Sequence, residues 1–116
     1  MTLPKVLAFE VFGTVVDWRS GVTRGAARFL ATGRADLDAA AFADVWRFRD
    51  IDVMRDYRTS GRPFVTLDVL HREMLEQMLC ENGIDPADLH AVLIDDWSQS
   101  WHRLDPWPDA VAGLAG

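Results

Sequence analysis

The segment Lys5–Val16, KVLAFEVFGTVV, constrains the fold of this chain more than any other stretch. Val6, Leu7, Ala8, Phe9, Val11 and Phe12 are apolar on both parities, the pattern of a strand covered on both faces in a parallel sheet. Such a strand needs neighbours to take up its backbone N–H and C=O groups, and residues 17–116 read as helical with no second strand. Unpaired groups of this kind cost about 1–3 kcal/mol each when buried, a large share of a small domain's stability. The strand is therefore expected to pair with a segment outside these residues, to pair with another copy, or to remain unordered; the first is favoured.

The rest of the chain follows a helical rhythm. Asp17 is placed to cap a helix reaching about Leu30 and closed by Gly33. A second helix is expected from about Asp38 to Thr59, with Phe42, Val45, Trp46, Val53, Met54 and Tyr57 on one side and a stop at Ser60-Gly61. Leu67, Leu70, Met74, Leu75, Met78 and Leu79 give the third helix the cleanest period, ended by Asn82-Gly83. Asp85-Pro86 reads as cap and first position of a fourth helix carrying Leu89, Leu93, Trp97, Trp101 and Leu104 on one stripe. Asp105-Pro106-Trp107-Pro108 breaks that helix, and Pro108 opens a short last one.

Composition excludes several functions. The 116 residues suffice for one small domain, and 49% apolar with 26% charged residues is a globular profile. Twelve basic against 18 acidic residues, a net charge of -6, argues against a nucleic-acid partner. A single cysteine rules out an internal disulfide, and no apolar run approaches the ~20 residues of a membrane span. The N-terminus lacks a signal-peptide layout, its apolar stretch being cut by Glu10, so a cytoplasmic location is expected.

Glu10 places a carboxylate at the C-terminal end of the expected strand, followed by the tight Gly13-Thr14 turn. In open α/β sheets ligands sit at that end, and the N–H groups of such a turn stabilise negative charge. His71, His90 and His102 are not spaced as a helical ligand pair, so no metal site is expected. Cys80, beside Met78 and Leu79, is expected to be a buried thiol. Asp95 and Asp96 are adjacent on a helix and diverge. Trp97, Trp101 and Trp107 are expected to pack rather than to bind ligand.

LAFEVFGTVVDWRSG at 7–21 resembles the first motif of the haloacid dehalogenase superfamily, specifically of its type II (L-2-haloacid) dehalogenases, whose pattern is Asp-x-Phe/Tyr-Gly-Thr with a following Asp-Trp. The resemblance continues through VWRFR at 45–49, RPFVTLDVLHREML at 62–75 and LDPWPDAVAGL at 104–114. It implies an α/β fold, a Rossmann-like core with a helical cap, of which this mostly α chain carries one core strand plus cap helices. Residues 1–16 would be the first core strand and nucleophile loop, 17–104 the helical cap with its flanking helices, and 105–116 a return segment toward a core outside the chain.

The activity implied is hydrolysis of small L-2-haloalkanoates to 2-hydroxyalkanoates through a carboxylate ester, with no cofactor. Glu10 takes the nucleophile's place, Thr14 holds its carboxylate, and amides near Val11 and Phe12 stabilise the charged oxygens. Arg47 matches the cap arginine that meets the halide or the substrate carboxylate. Val11, Phe12, Gly13 and Phe48 would contact substrate. Phe12 stands where the superfamily's phosphatases carry a second Asp, which favours a metal-free dehalogenase over a phosphatase.

The chain departs from the family at its nucleophile, Glu10 for Asp. Phe48 replaces a side chain that is often polar, and Lys5, the sole lysine, sits at the wrong end of the strand to serve as the family's catalytic lysine. The serine-containing second motif and later Asn and Asp positions would lie beyond residue 116. The implied partners are a small haloacid substrate and either a C-terminal core segment or a second copy in a homodimer. The competing reading is a non-catalytic helical association module.

Overall fold

A computed structural model describes residues 2–31 and 37–116, and among these the chain forms five α-helices and a long N-terminal arm. Helix α1 spans Trp18–Leu30, α2 Ala39–Thr59, α3 Leu67–Glu81, α4 Ala91–Ser98 and α5 Ala110–Ala115; single 3-10 turns lie at Pro86–Asp88 and Ser100–Arg103. Each long helix starts where a polar side chain takes an orphan N–H. The Asp17 carboxylate accepts from Ser20 N at 3.1 Å, Asp38 from Ala41 N at 2.7 Å, and Thr66 Oγ1 from Val69 N at 3.4 Å. α2 ends at Ser60 just ahead of Gly61, whose φ is +68°, and α3 at Asn82 just ahead of Gly83, at +76°. The expected Gly33 stop of α1 lies outside the described residues.

The core is one cluster at the meeting of four helices. Val22, Ala26 and Phe29 of α1 pack with Phe42, Ala43 and Trp46 of α2, Met74, Leu75, Met78 and Leu79 of α3, and Ile94 and Trp97 of α4. Phe29 stacks on Trp97 with ring centroids 4.2 Å apart. The α2 side differs from expectation in that Val45 and Met54 are exposed, the buried stripe being Phe42, Ala43, Trp46 and Asp50.

Four further expectations are corrected. The strand expected over 5–16 does not form: among the described residues, none of the main-chain groups of 2–10 bonds another backbone group, and only isolated bridges join Phe12 to Val16 and Val16 to Pro106. A strand exists only as part of a ladder, and no neighbour is present. Leu3, Val6, Leu7, Phe9 and Val11 are all exposed.

The single helix expected over 85–104 is broken into a 3-10 turn, α4 and a second 3-10 turn. Asp85 caps a turn closed by Leu89 N on Pro86 O, and His90 Nδ1 accepts from Val92 N to start again. At the far end Ser98 Oγ and Ser100 Oγ donate to Asp95 O and Trp97 O, competing for carbonyls that a longer helix would use. Pro108 likewise precedes rather than opens α5, which starts at Ala110. Finally, Cys80 is exposed, one position past the buried Met78-Leu79 pair.

Candidate active site

The Gly13 turn is the point at which the arm meets the helices. Gly13 has φ +100°, open to glycine and strained for other residues, and its N–H bonds Val16 O at 3.1 Å. Val15 N and Val16 N both reach Val11 O, at 2.9 and 3.2 Å. The 105–107 segment is fastened to the same turn: Asp17 N donates to Asp105 O, Trp107 N to Val15 O and Trp107 Nε1 to Gly13 O, all within 2.9 Å.

Inside this turn Glu10 is tethered at both oxygens. Phe12 N donates to Oε1 at 2.8 Å and Thr14 Oγ1 to Oε2 at 2.7 Å. A glutamate two and four residues from these donors can curl back onto its own loop, an arrangement that its extra methylene permits. Both contacts lie in the exposed part of the turn, with the carboxylate at the edge of a cavity of about 630 Å³.

That cavity lies between the turn, α2, the start of α3 and the Trp101–Leu104 stretch. Glu10, Phe12, Arg47, Asp50, His71 and Trp101 line it, with Val11 at the rim. Phe12 stacks against Trp18 at a centroid distance of 6.0 Å, and the Arg47 guanidinium carbon sits 4.7 Å from the Phe12 ring centre. Arg47 is half-buried, and its Nη1 donates to Asp50 Oδ2 at 2.7 Å. The other Asp50 oxygen meets His71 Nε2 at 2.8 Å. His71, fully enclosed, is edge-on to Trp46 and Trp101 at 4.8 and 5.5 Å, and its Nδ1 has no partner.

Beside this group Asp68, in the first turn of α3, accepts from Trp101 Nε1 at 3.0 Å and meets His102 Nε2 at 2.7 Å. Burial pushes the Asp68 carboxyl up, but the hydrogen bonds from His102 and Trp101 outweigh it and hold the group below its ordinary 3.8.

Of the residues singled out in the sequence, Glu10, Val11, Phe12 and Arg47 line one cavity, and Thr14 reaches it through Glu10. Gly13 serves as the turn and lines no part of it. Phe48 is 71% exposed and not among the lining residues, since one residue step on a helix turns it about 100° from Arg47. Asp50 was not singled out in the sequence, and His71 was weighed only as a metal ligand, yet both line the cavity. Their signal was polarity inside an apolar stripe, Asp50 four residues after Trp46 and His71 between Leu67 and Met74. Among the described residues no group of three or more His, Cys, Asp and Glu is placed to hold a metal ion, and no helix is long and apolar enough to cross a membrane.

No family model matches the chain, and no curated protein matches it. Among solved structures it is similar to the defluorinating L-2-haloacid dehalogenase Rha0230, at 46% identity and a TM-score of 0.85, over 91% of this chain and 43% of that one. Two structures of the L-2-haloacid dehalogenase of Xanthobacter autotrophicus share its fold at 23% identity. One has chloropropionic acid covalently bound and gives a TM-score of 0.66, the other 0.64, each over 90% of this chain and 39% of that one. The chain thus spans less than half the length of each of these enzymes. Its mostly helical build is that of the cap of such an α/β protein. By sequence and fold together, this is a type II haloacid dehalogenase-like chain of the haloacid dehalogenase superfamily.

Proposed function

We propose that this chain supplies the nucleophile loop and the cap arginine of a hydrolase acting on small L-2-haloalkanoates. A Glu10 oxygen attacks the carbon bearing the halogen; the new C–O bond forms as the carbon–halogen bond breaks, and the halide leaves with the electron pair. Water then attacks the ester carbonyl, releasing the 2-hydroxyalkanoate and restoring the carboxylate. Thr14 Oγ1 and the Phe12 amide hold the carboxylate, Arg47 receives the halide or the substrate carboxylate, and the Phe12 ring with Val11 forms an apolar wall. The observation that carries this reading is the convergence of Glu10, Phe12 and Arg47 on one cavity, from a loop and a helix more than 30 residues apart in sequence.

Turnover by this chain alone is not expected. Its one lysine, Lys5, lies at the far end of the arm from Glu10, and the unpaired arm calls for a sheet supplied from outside. Glutamate also moves the carboxylate by about one carbon–carbon bond, ~1.5 Å, and displacements of ~1 Å can cost about a hundredfold in rate. The partner in this reading is a C-terminal core segment, with a second copy as the other candidate.

Halide release from 2-chloropropionate tests the assignment. None is expected from the 116-residue chain, and release is expected when a C-terminal core is supplied, faster with Glu10→Asp than with Glu10. Clear catalytic release by the unmodified chain alone would contradict the need for outside groups. A folded, reconstituted complex with no release would favour a non-catalytic association module, the reading to which the exposed Val45, Phe48 and Ile51 of α2 lend support.

A further inference from the structure

We infer that Asp50, anchored by His71, is a positioning residue that fixes the Arg47 guanidinium at the cavity wall; this rests on the reading of Arg47 as the group that meets the substrate anion. Both Asp50 oxygens are committed, one to Arg47 Nη1 at 2.7 Å and the other to His71 Nε2 at 2.8 Å. Arg47 and Asp50 share α2, whereas His71 comes from α3, so the carboxylate is tied to two helices at once. The ring that anchors it is 2% exposed and held edge-on between Trp46 and Trp101. On its other side the guanidinium lies over Phe12. A long side chain with many rotamers is thereby confined between a fixed carboxylate and a fixed ring.

Nη1 makes the one Arg47 hydrogen bond to protein among the described residues, so most of its five N–H donors remain for an anion in the cavity. Packing alone gives little reason for this pair of polar groups. Asp50 and His71 occupy positions in apolar helix stripes where hydrophobic residues of similar volume are commonly neutral or stabilising. Among the described residues the buried Nδ1 of His71 has no hydrogen-bond partner either, so it adds a further burial cost to the pair. Their common product is the placement of one cation.

The test uses the full chain and 2-chloropropionate as probe, with binding followed by titration calorimetry and folding by circular dichroism. Removing a negative charge close to an anion site should tighten binding if Asp50 acts only as a bystander charge. Positioning gives the opposite sign: Asp50→Asn should weaken binding about tenfold or more. Unchanged or tighter binding by folded Asp50→Asn would overturn the proposal.

A second measurement needs no variant to start. In the unmodified chain the side-chain nitrogen spectrum should resolve separate Arg47 Nη signals, slowed in rotation by the Asp50 contact. They should merge in His71→Leu, which keeps the Asp50 carboxylate but removes the group that fixes it against Arg47. A single averaged Arg47 signal in the unmodified chain, or separate signals that survive in His71→Leu, would overturn the proposal. Binding that survives Arg47→Met, or a chain that binds no 2-chloropropionate at all, would instead sink the reading of Arg47 as the anion's partner, and the Arg47 spectrum would still decide whether Asp50 and His71 position it.

Discussion

One methylene separates Glu10 from the aspartate of the family pattern, and the longer carboxylate still finds partners within its own loop. The longer side chain folds back so that Phe12 N and Thr14 Oγ1 each take one oxygen. The family resemblance, rather than any pattern in the residues, implied as much, giving Thr14 and the amides near Val11 and Phe12 as the groups that hold the carboxylate. The Phe12 ring, stacked on Trp18 and facing Arg47, should contribute both packing and cation attraction; Phe12→Ala is expected to destabilise the chain by about 1–2 kcal/mol in urea unfolding. An unchanged urea midpoint would mean that the ring carries no load. Asp68 sets a pH dependence of known sign. Its folded carboxyl titrates below 3.8, so the stability it contributes is present above the unfolded value and lost as pH falls through the lower folded value. Carboxyl carbon NMR should therefore place the Asp68 midpoint below 3.8, and His102→Ala should move it upward. No movement would remove His102 as a cause. Asp50 and His71 were harder to read, because 21 residues separate them and only the packing of α2 on α3 makes them partners.

Helices were legible where a cap, an apolar period and a glycine stop agreed. α2 begins beside its expected start at Asp38, which caps it, and ends ahead of Gly61; α3 ends ahead of the expected Gly83, and its cap, Thr66, is one that the apolar period did not point to. Removing the first cap with Asp38→Ala should cost about 1 kcal/mol by thermal unfolding, whereas an exposed mid-helix change such as Asp52→Ala should cost little. The 85–104 region misled for a reason the period could not reveal. Apolar residues at helical spacing persist through it, yet side chains at Asp85, His90, Ser98 and Ser100 capture backbone groups and divide it into three pieces. That division matters to packing, because the second 3-10 turn presses Ser100 and Leu104 onto α1 at Gly25 and Gly21. A methyl group at Gly25 would overlap Ser100 Oγ and lie 2.9 Å from its Cβ. Gly25→Ala is accordingly expected to destabilise by about 1–3 kcal/mol despite its better helix propensity. A stabilising effect would mean that the α1 contact is looser than described.

At the scale of the whole molecule, the chain is longer than its residue number requires. Its radius of gyration is 16.8 Å, against roughly 13 Å for a compact chain of this length, and its longest dimension is 60 Å. Four helices enclose a core of their own, whereas the arm over residues 3–11 presents Leu3, Val6, Leu7, Phe9 and Val11 outward. Sequence reading anticipated this imbalance, since an apolar run with no complementary strand has nothing to pair with, although it drew the run as a strand. The cavity sits at the join between the two parts, with Glu10 at the end of the arm and Arg47 on α2. In the proposed reading a sheet supplied from outside pairs with the arm beside that cavity. Amide hydrogen exchange across residues 3–11 of the isolated chain tests this most directly. The account predicts exchange close to that of an unstructured peptide for these amides, beside strong protection in α3, with protection gained when a C-terminal core is supplied. Protection of 3–11 equal to that of α3 in the isolated chain would contradict it.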